Sequence, residues 1–164
     1  MDRLAPPTDP TELRRVFGCF PSGVTALCAL VDGVPVGMAA STFVPVSLDP
    51  PLVSVCVQSG SMTWPRLRRG DRLGVSVLAG NHELACRSLS DRHGDRFNGV
   101  AWLAGLGDAV FIDGAVAWLA CRLQAELPAG DHVIALLRIL GVRADSDGEP
   151  LVLHRSRFRK LAVA

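Results

Sequence analysis

The sequence predicts a mainly β protein, an antiparallel β barrel with a few short flanking helices. Three observations carry that expectation. Apolar, β-branched runs recur along the chain with turn signals between them, first at Asp32-Gly33, a strong hairpin pair. From Trp118 to Leu127 the residues alternate: Leu119, Cys121, Leu123, Ala125 and Leu127 interleave with Trp118, Arg122, Gln124 and Glu126. That is the period of a strand with one core face and one wet or interfacial face. The chain also lacks the sustained strand–helix alternation that a Rossmann domain requires.

Taken in order, Thr8-Asp9-Pro10 opens a first helix, with Glu12 in its first turn and Leu13, Val16, Phe17 and Phe20 at helical spacing. Pro21 and Gly23 stop it. Val24 to Val31 reads as a strand, and after Asp32-Gly33 the β-branched pattern continues from Val34 to Val46. Leu52 to Val57 reads as a third, largely buried strand. A short helix is expected around Ser61 to Arg69, ended by Gly70, and another strand over Arg72 to Leu78. Asn81 can cap a helix that runs to about Ser90. Asp91 to Gly107, rich in glycine, reads as loop. The alternating strand then turns at Pro128-Ala129-Gly130-Asp131 into a partner at His132 to Val142. Asp147-Gly148 marks a further turn before a last strand at Leu151 to His154.

The 164 residues fit one domain spanning 1–164, and 49% hydrophobic with 20% charged residues is enough to bury a core. Seventeen basic against sixteen acidic residues leave a net charge of +1, so nothing in the balance asks for nucleic acid or an anionic membrane. Met1 to Pro10 lacks the apolar run of a secretory signal. No stretch reaches the roughly 18 to 20 apolar residues that span a bilayer. The five cysteines are scattered, odd in number and without a CxxC pair, which suits reduced thiols in a cytoplasmic protein. GxSxG, HExxH and P-loop motifs are missing. Gly105-Leu106-Gly107 begins like a dinucleotide fingerprint, but Val110 stands at the third glycine and no clear strand precedes it. His82 and Cys86, four apart on an expected helix, lack a second ligand pair, so no metal is expected. Cys56 lies in an apolar strand and reads as a small core residue.

The informative region is Gly37-Met38-Ala39-Ala40-Ser41-Thr42-Phe43, followed by Val46-Ser47-Leu48-Asp49-Pro50-Pro51-Leu52. Small residues let something approach the backbone, and hydroxyls can donate hydrogen bonds to a phosphate. Close packing on a neighbouring strand explains the same small residues, and local chemistry alone favours it.

The order of the motifs adds to this. Ser22-Gly23-Val24-Thr25, the two segments above, Val77-Leu78-Ala79, Arg96-Phe97-Asn98-Gly99 and Gly130-Asp131-His132 occur in sequence. With them the chain resembles the flavin reductase-like family, the small reductase components of two-component flavin monooxygenases, from about Leu13 to Leu161. The resemblance implies the FMN-binding split-barrel fold, with the flavin in a groove generally at a homodimer interface. Ala39 stands where the family often carries Thr, so a hydroxyl contact to the flavin tail is missing or comes from a neighbour.

By the same resemblance, Ala40, Ser41 and Thr42 would face the ribityl phosphate beside Ala39, with Ser61 and Thr63 adding hydroxyls or amides. Backbone groups of Val55, Cys56 and Val57 would hydrogen-bond the isoalloxazine edge, with Met38 packing nearby. His132 would meet the nicotinamide or flavin face and donate a hydrogen bond to the dinucleotide. By charge and reach, Arg87 is a candidate phosphate clamp. Arg155, Arg157 and Phe158 are candidates to close over the dinucleotide. Trp118, on a polar strand face, is a candidate anchor of the homodimer interface. The implied activity is an NAD(P)H:flavin oxidoreductase that uses FMN or FAD with NADH or NADPH and hands reduced flavin to a partner monooxygenase. Two other readings fit the resemblance: a flavin- or heme-binding split barrel without reductase activity, and a ligand-free structural dimer.

Overall fold

A computed structural model of the chain describes residues 6–7, 9–145 and 147–162. Among the described residues the elements are, in order, α1 (Pro10–Phe17), β1 (Ser22–Gly23), β2 (Thr25–Val31), β3 (Val34–Ala40), β4 (Val44–Leu48) and β5 (Pro51–Gln58). There follow α2 (Trp64–Leu67), β6 (Leu73–Val77), α3 (Glu83–Ser90), β7 (Trp102–Ala104), a 3-10 turn (Leu106–Asp108) and β8 (Val110–Ile112). The chain ends with β9 (Ala117–Ala129), β10 (His132–Ala144), β11 (Val152–His154) and β12 (Arg157–Arg159). The fold is mainly β with a few short helices, as the sequence predicts.

Thr8, in the expected first helix start, lies outside the described residues, but Asp9 caps that helix by accepting from the Thr11 N–H at 2.8 Å. The apolar spacing of α1 is not covered by the chain itself: Val16, Phe17 and Phe20 are all exposed. Asp32 and Gly33 both have positive φ, 54° and 77°, the backbone that a tight turn between β2 and β3 demands.

Seven strands form one antiparallel sheet among the described residues, in the order β3-β2-β6-β9-β10-β5-β4. Its edges, β3 and β4, are consecutive in the chain and joined by Ser41, Thr42 and Phe43 alone. Laid flat, strands about 4.8 Å apart would set those edges roughly 29 Å from each other. The link from Ala40 to Val44 reaches at most about 14 Å. The sheet therefore curls until its edges approach. This is why the expected strand from Val34 to Val46 breaks at Ser41–Phe43: β-branched residues continue, but the chain changes edges.

Apolar residues fill the curl, with Leu27, Val55, Val57, Leu67, Leu73, Val75 and Leu137 among them. A second cluster on the other face, including Cys28, Leu78, Leu89, Phe97, Val110 and Leu151, packs α3 and β8 against the sheet. Burial pushes the Cys28 and Cys121 thiols up to about 12, and all five cysteines are unbridged. A Cβ at Gly37 would meet the Cys28 sulfur at 2.5 Å and the Phe97 ring at 3.0 Å, so this small residue admits the protein's own side chains.

The alternation read along β9 holds only halfway. Leu119 and Cys121 are buried and Leu123 half-buried, but Ala125 and Leu127 are exposed while Glu126 is half-buried. In the register with β10, Leu137 faces Leu123 and Leu136 faces Ala125. The unpaired Gln124 is a bulge, which exchanges the inward and outward faces beyond it. Glu126 thereby turns onto α2, where its two oxygens accept from Trp64 Nε1 and Arg68 Nη1, each at 2.7 Å.

Other boundaries moved for local reasons. The helix expected over Ser61 to Arg69 is reduced to α2, and α3 begins behind His82 rather than Asn81. There the His82 Nδ1 accepts from the Ala79 N–H at 3.1 Å. The expected loop from Asp91 to Gly107 contains β7, so a strand does precede Gly105-Leu106-Gly107, but it pairs with β8 and no α-helix follows. Beyond β11 the chain turns through Arg155 and Ser156, at φ 50° and 59°, into β12, which sequence patterning did not indicate.

Candidate functional site

A cleft of about 730 Å3 opens where the sheet's edges approach. Met38 to Thr42 form one wall with Cys56, Val57 and Gln58. Gly60 to Thr63, the end of α3 at Leu89 and Ser90, and the following Arg92, His93 and Arg96 form the other, with His132 at the rim. The fold thus brings together Met38, Ala39, Ala40, Ser41, Thr42, Cys56, Val57, Ser61, Thr63 and His132, all expected from the sequence.

Other expected residues lie elsewhere. Arg87 pairs with Glu83 at 2.8 Å and stacks over the Phe158 ring at 5.1 Å, so within the chain it does not reach the cleft as a phosphate clamp. Cys86 and Leu89 take the inward face of α3, which turns Arg87 outward. Arg155, Arg157 and Phe158 belong to the β11–β12 hairpin: the Arg155 N–H donates to the Gly18 carbonyl at 2.9 Å, and Phe158 packs on the second apolar cluster. They do not line the cleft within the chain. Trp118 is half-buried by its own chain, stacked on Phe111 at 5.4 Å and under Arg143 at 4.8 Å, with Nε1 donating to the Ile112 carbonyl. Its burial needs no partner subunit.

The Thr42 hydroxyl accepts from the Cys56 N–H at 2.9 Å and donates to the Cys56 carbonyl at 3.1 Å. Its single proton is occupied, so it holds β5 rather than donating to a phosphate. Both backbone groups of Cys56 are likewise engaged. Because backbone direction alternates along a strand, Val55 and Val57 turn theirs to Ala135 and Val133 of β10. The backbone groups of residues 55 to 57, expected at a ring edge, thus have partners within the chain, and one outward group along β5 stays open. That group is the Gln58 N–H, since the Gln58 carbonyl accepts from Ser61 at 2.9 Å.

Arg96, a landmark to which the sequence assigned no role, fastens the opposite wall. Its Nη1 donates to the Gly37 carbonyl at 3.0 Å and to Thr63 Oγ1 at 2.7 Å, and its Nε donates to the Asp91 carbonyl. Ser61 Oγ accepts from the Trp64 N–H at 3.1 Å. Ser61 and Thr63 each keep a hydroxyl proton, Ser41 makes no hydrogen bond among the described residues, and Arg96 keeps its Nη2. Arg92 and His93 add further donors. No described residue lining the cleft is a carboxylate.

Donors without acidic neighbours suit a phosphate, and the half-buried Met38 and Ala39 give a ring apolar contact. The residues fit the flavin that the resemblance implies. At the rim, His132 Nδ1 lies 2.7 Å from Asp131 Oδ1. Hydrogen bonding from the imidazole and its charge hold the Asp131 carboxyl below its ordinary range. With Nδ1 against the carboxylate, Nε2 is the ring nitrogen left for a ligand. Gln58, Gly60, Met62, Leu89, Ser90, Arg92, His93 and Arg96 were not among the expected site residues. The glycine-rich loop after α3 was the available signal for the last three, because loops on a rigid scaffold carry binding groups.

The comparisons agree with this geometry. The family model described as "Flavin reductase like domain" matches residues 17–162. An NADH-dependent FAD reductase of Streptomyces globisporus is 37% identical over 164 residues, 97% of this chain and 90% of that protein. The reductase subunit HsaB of a flavin-dependent monooxygenase from Rhodococcus jostii is 33% identical over 150 residues, covering 92% and 77%. Among solved structures, the Streptomyces globisporus NADH:FAD oxidoreductase SgcE6, in complex with NAD and FAD fragments, superposes with a TM-score of 0.91 at 38% identity over 98% of each chain. By its sequence, its fold and the donor set of its cleft, this chain belongs to the flavin reductase-like family.

Proposed function

We propose that the chain is an NAD(P)H:flavin oxidoreductase that supplies reduced FMN or FAD to a partner monooxygenase. The observation that carries the reading is the cleft itself, where hydroxyl and guanidinium donors meet an apolar wall with no carboxylate between them. Relatives named NADH-dependent support NADH as the reductant. Ser41, Ser61, Thr63, Arg92 and the remaining Arg96 protons bind the flavin phosphate. Met38 and Ala39 pack against its ring, and the Gln58 N–H meets the ring edge. His132 orients the nicotinamide through Nε2, with Asp131 fixing the imidazole. When bound, a flavin would supply the chemistry that accepts hydride from a nicotinamide. The protein's part is alignment of two planar rings, which needs no catalytic acid or base.

The curled sheet is read as the split barrel of this family, the chain as one such domain, and its assembly as a homodimer. Exposed Val44, Val46 and Leu48 on edge strand β4, with Val142 on β10, supply apolar surface for such a contact. No helix among the described residues is long and apolar enough to cross a membrane, and the unbridged cysteines fit a cytoplasmic setting. The test is direct: NADH and NADPH oxidation is followed with purified protein and added FMN or FAD. Flavin-dependent oxidation supports the reading, and its absence with both flavins and both nucleotides overturns it.

A further inference from the structure

Ser61 and Thr63 owe their places to α2. Ser61 Oγ accepts from the Trp64 N–H at 3.1 Å, and the Thr63 carbonyl accepts from the Arg66 and Leu67 N–H groups at 3.0 and 3.2 Å. Yet α2 is a single turn of four residues without a side-chain cap, and so short a helix does not hold itself in place. Two of its side chains are instead fastened to Glu126: one carboxylate oxygen accepts from Trp64 Nε1 and the other from Arg68 Nη1, each at 2.7 Å. Glu126 does not line the cleft, and it comes from β9, where it stands opposite the buried Ala135 of β10. The two arms are unequal. The Arg68 side chain is 47% exposed, so solvent weakens its ion pair. Trp64 is 4% exposed, and a buried indole N–H without an acceptor forfeits its solvation outright.

We propose that Glu126 is a positioning residue for flavin binding: through Trp64 it fixes α2, and with it the hydroxyls of Ser61 and Thr63 against the flavin phosphate. This rests on the flavin reading above. The bulge at Gln124 is what turns Glu126 onto α2, so the long hairpin sets the loop wall of the cleft without touching the ligand. The acceptor matters more than the charge, because the buried arm to Trp64 carries the alignment and the solvated arm to Arg68 adds little.

The test is equilibrium titration of FMN and of FAD, without reductant, against wild type, Glu126→Leu, Glu126→Gln, Trp64→Phe and the Trp64→Phe/Glu126→Leu pair. Each is titrated at a temperature where circular dichroism shows it folded, so that affinity is read apart from stability. Glu126→Leu is expected to raise the Kd for the flavin that wild type binds about five- to ten-fold. Glu126→Gln keeps an oxygen for Trp64 Nε1 and stays within about two-fold of wild type. Trp64→Phe removes the donor and weakens binding as Glu126→Leu does, and in its background Glu126→Leu adds less than about two-fold. Three results overturn the proposal: a folded Glu126→Leu that loses stability but keeps its flavin affinity, equal losses in the Gln and Leu variants, or losses that multiply in full in the pair. Should Glu126→Leu fail to fold, Trp64→Phe decides, and an unchanged flavin Kd there overturns it as well. Each of these leaves the flavin reading standing, whereas a wild type that binds neither flavin removes both.

Discussion

On the strand wall of the cleft, the Thr42 hydroxyl holds both backbone groups of Cys56, and Gly37 gives its carbonyl to Arg96. On the loop wall, Ser61 and Thr63 each accept one bond and retain a hydroxyl proton. Polar residues of similar composition thus divide into groups that set the shape of the site and groups still open to a ligand. A substitution in the first set should change stability together with binding, and one in the second should change binding alone. Three measurements test that division, and a fourth probes the fold outside it.

The largest expected effect is at Arg96, which ties β3, the Thr63 loop and the segment after α3 together. Arg96→Met should destabilise the fold by about 2 to 4 kcal/mol in denaturant titration, since several polar partners lose their donor at once. A stability within about 0.5 kcal/mol of wild type would place Arg96 among the ligand groups instead. Thr42→Val keeps the volume and removes both bonds to Cys56. It should cost about 1 to 2 kcal/mol and weaken flavin binding as the β5 edge loosens. Intact stability there would mean that Thr42 is free to donate after all.

Ser41→Ala should show the opposite signature, with unfolding unchanged and flavin affinity lowered by about 0.5 to 1.5 kcal/mol. A loss of stability without a change in affinity would contradict the division. The smallest effect lies outside both walls. Burial holds the His82 imidazole below its ordinary 6.5, more strongly than the contact with the Asp113 carbonyl raises it. The unfolded chain then binds the extra proton first, so stability falls as pH drops below about 6.5 and levels off once the folded form is protonated too. His82→Gln should flatten that slope on the acid side of 6.5. An identical slope in the variant would assign the acid sensitivity to other groups.

How far the sequence was legible follows the range of each signal. Local chemistry marked the Asp32-Gly33 turn, the β9–β10 hairpin and most strands. It did not mark the bulge at Gln124, because one unpaired residue leaves the written alternation intact while exchanging the faces that carry it. The choice between Arg87 and Arg96 was equally hidden. The two guanidiniums are chemically identical, and only the way α3 turns its Cys86–Leu89 face inward decides which one reaches the cleft. For Thr42 the residue was found but its partner was not. A hydroxyl reads as a ligand donor until the strand that takes its proton is in view.

The place of the β9–β10 hairpin in the strand order governs how the molecule is made on the ribosome. It lies between β6 and β5, yet it is translated after both. At ordinary elongation rates roughly 4 to 17 s separate the synthesis of Gln58 from that of Ala144. Through that interval the nascent chain presents an unsatisfied strand edge on β5, joined by a second on β6 once Val77 is made, each open to pairing with a neighbouring polypeptide. Slower growth temperatures and chaperone supply should therefore raise the yield of this protein more than any change to its finished surface. A message truncated before the hairpin would yield a product with neither a closed sheet nor a place for its ligand.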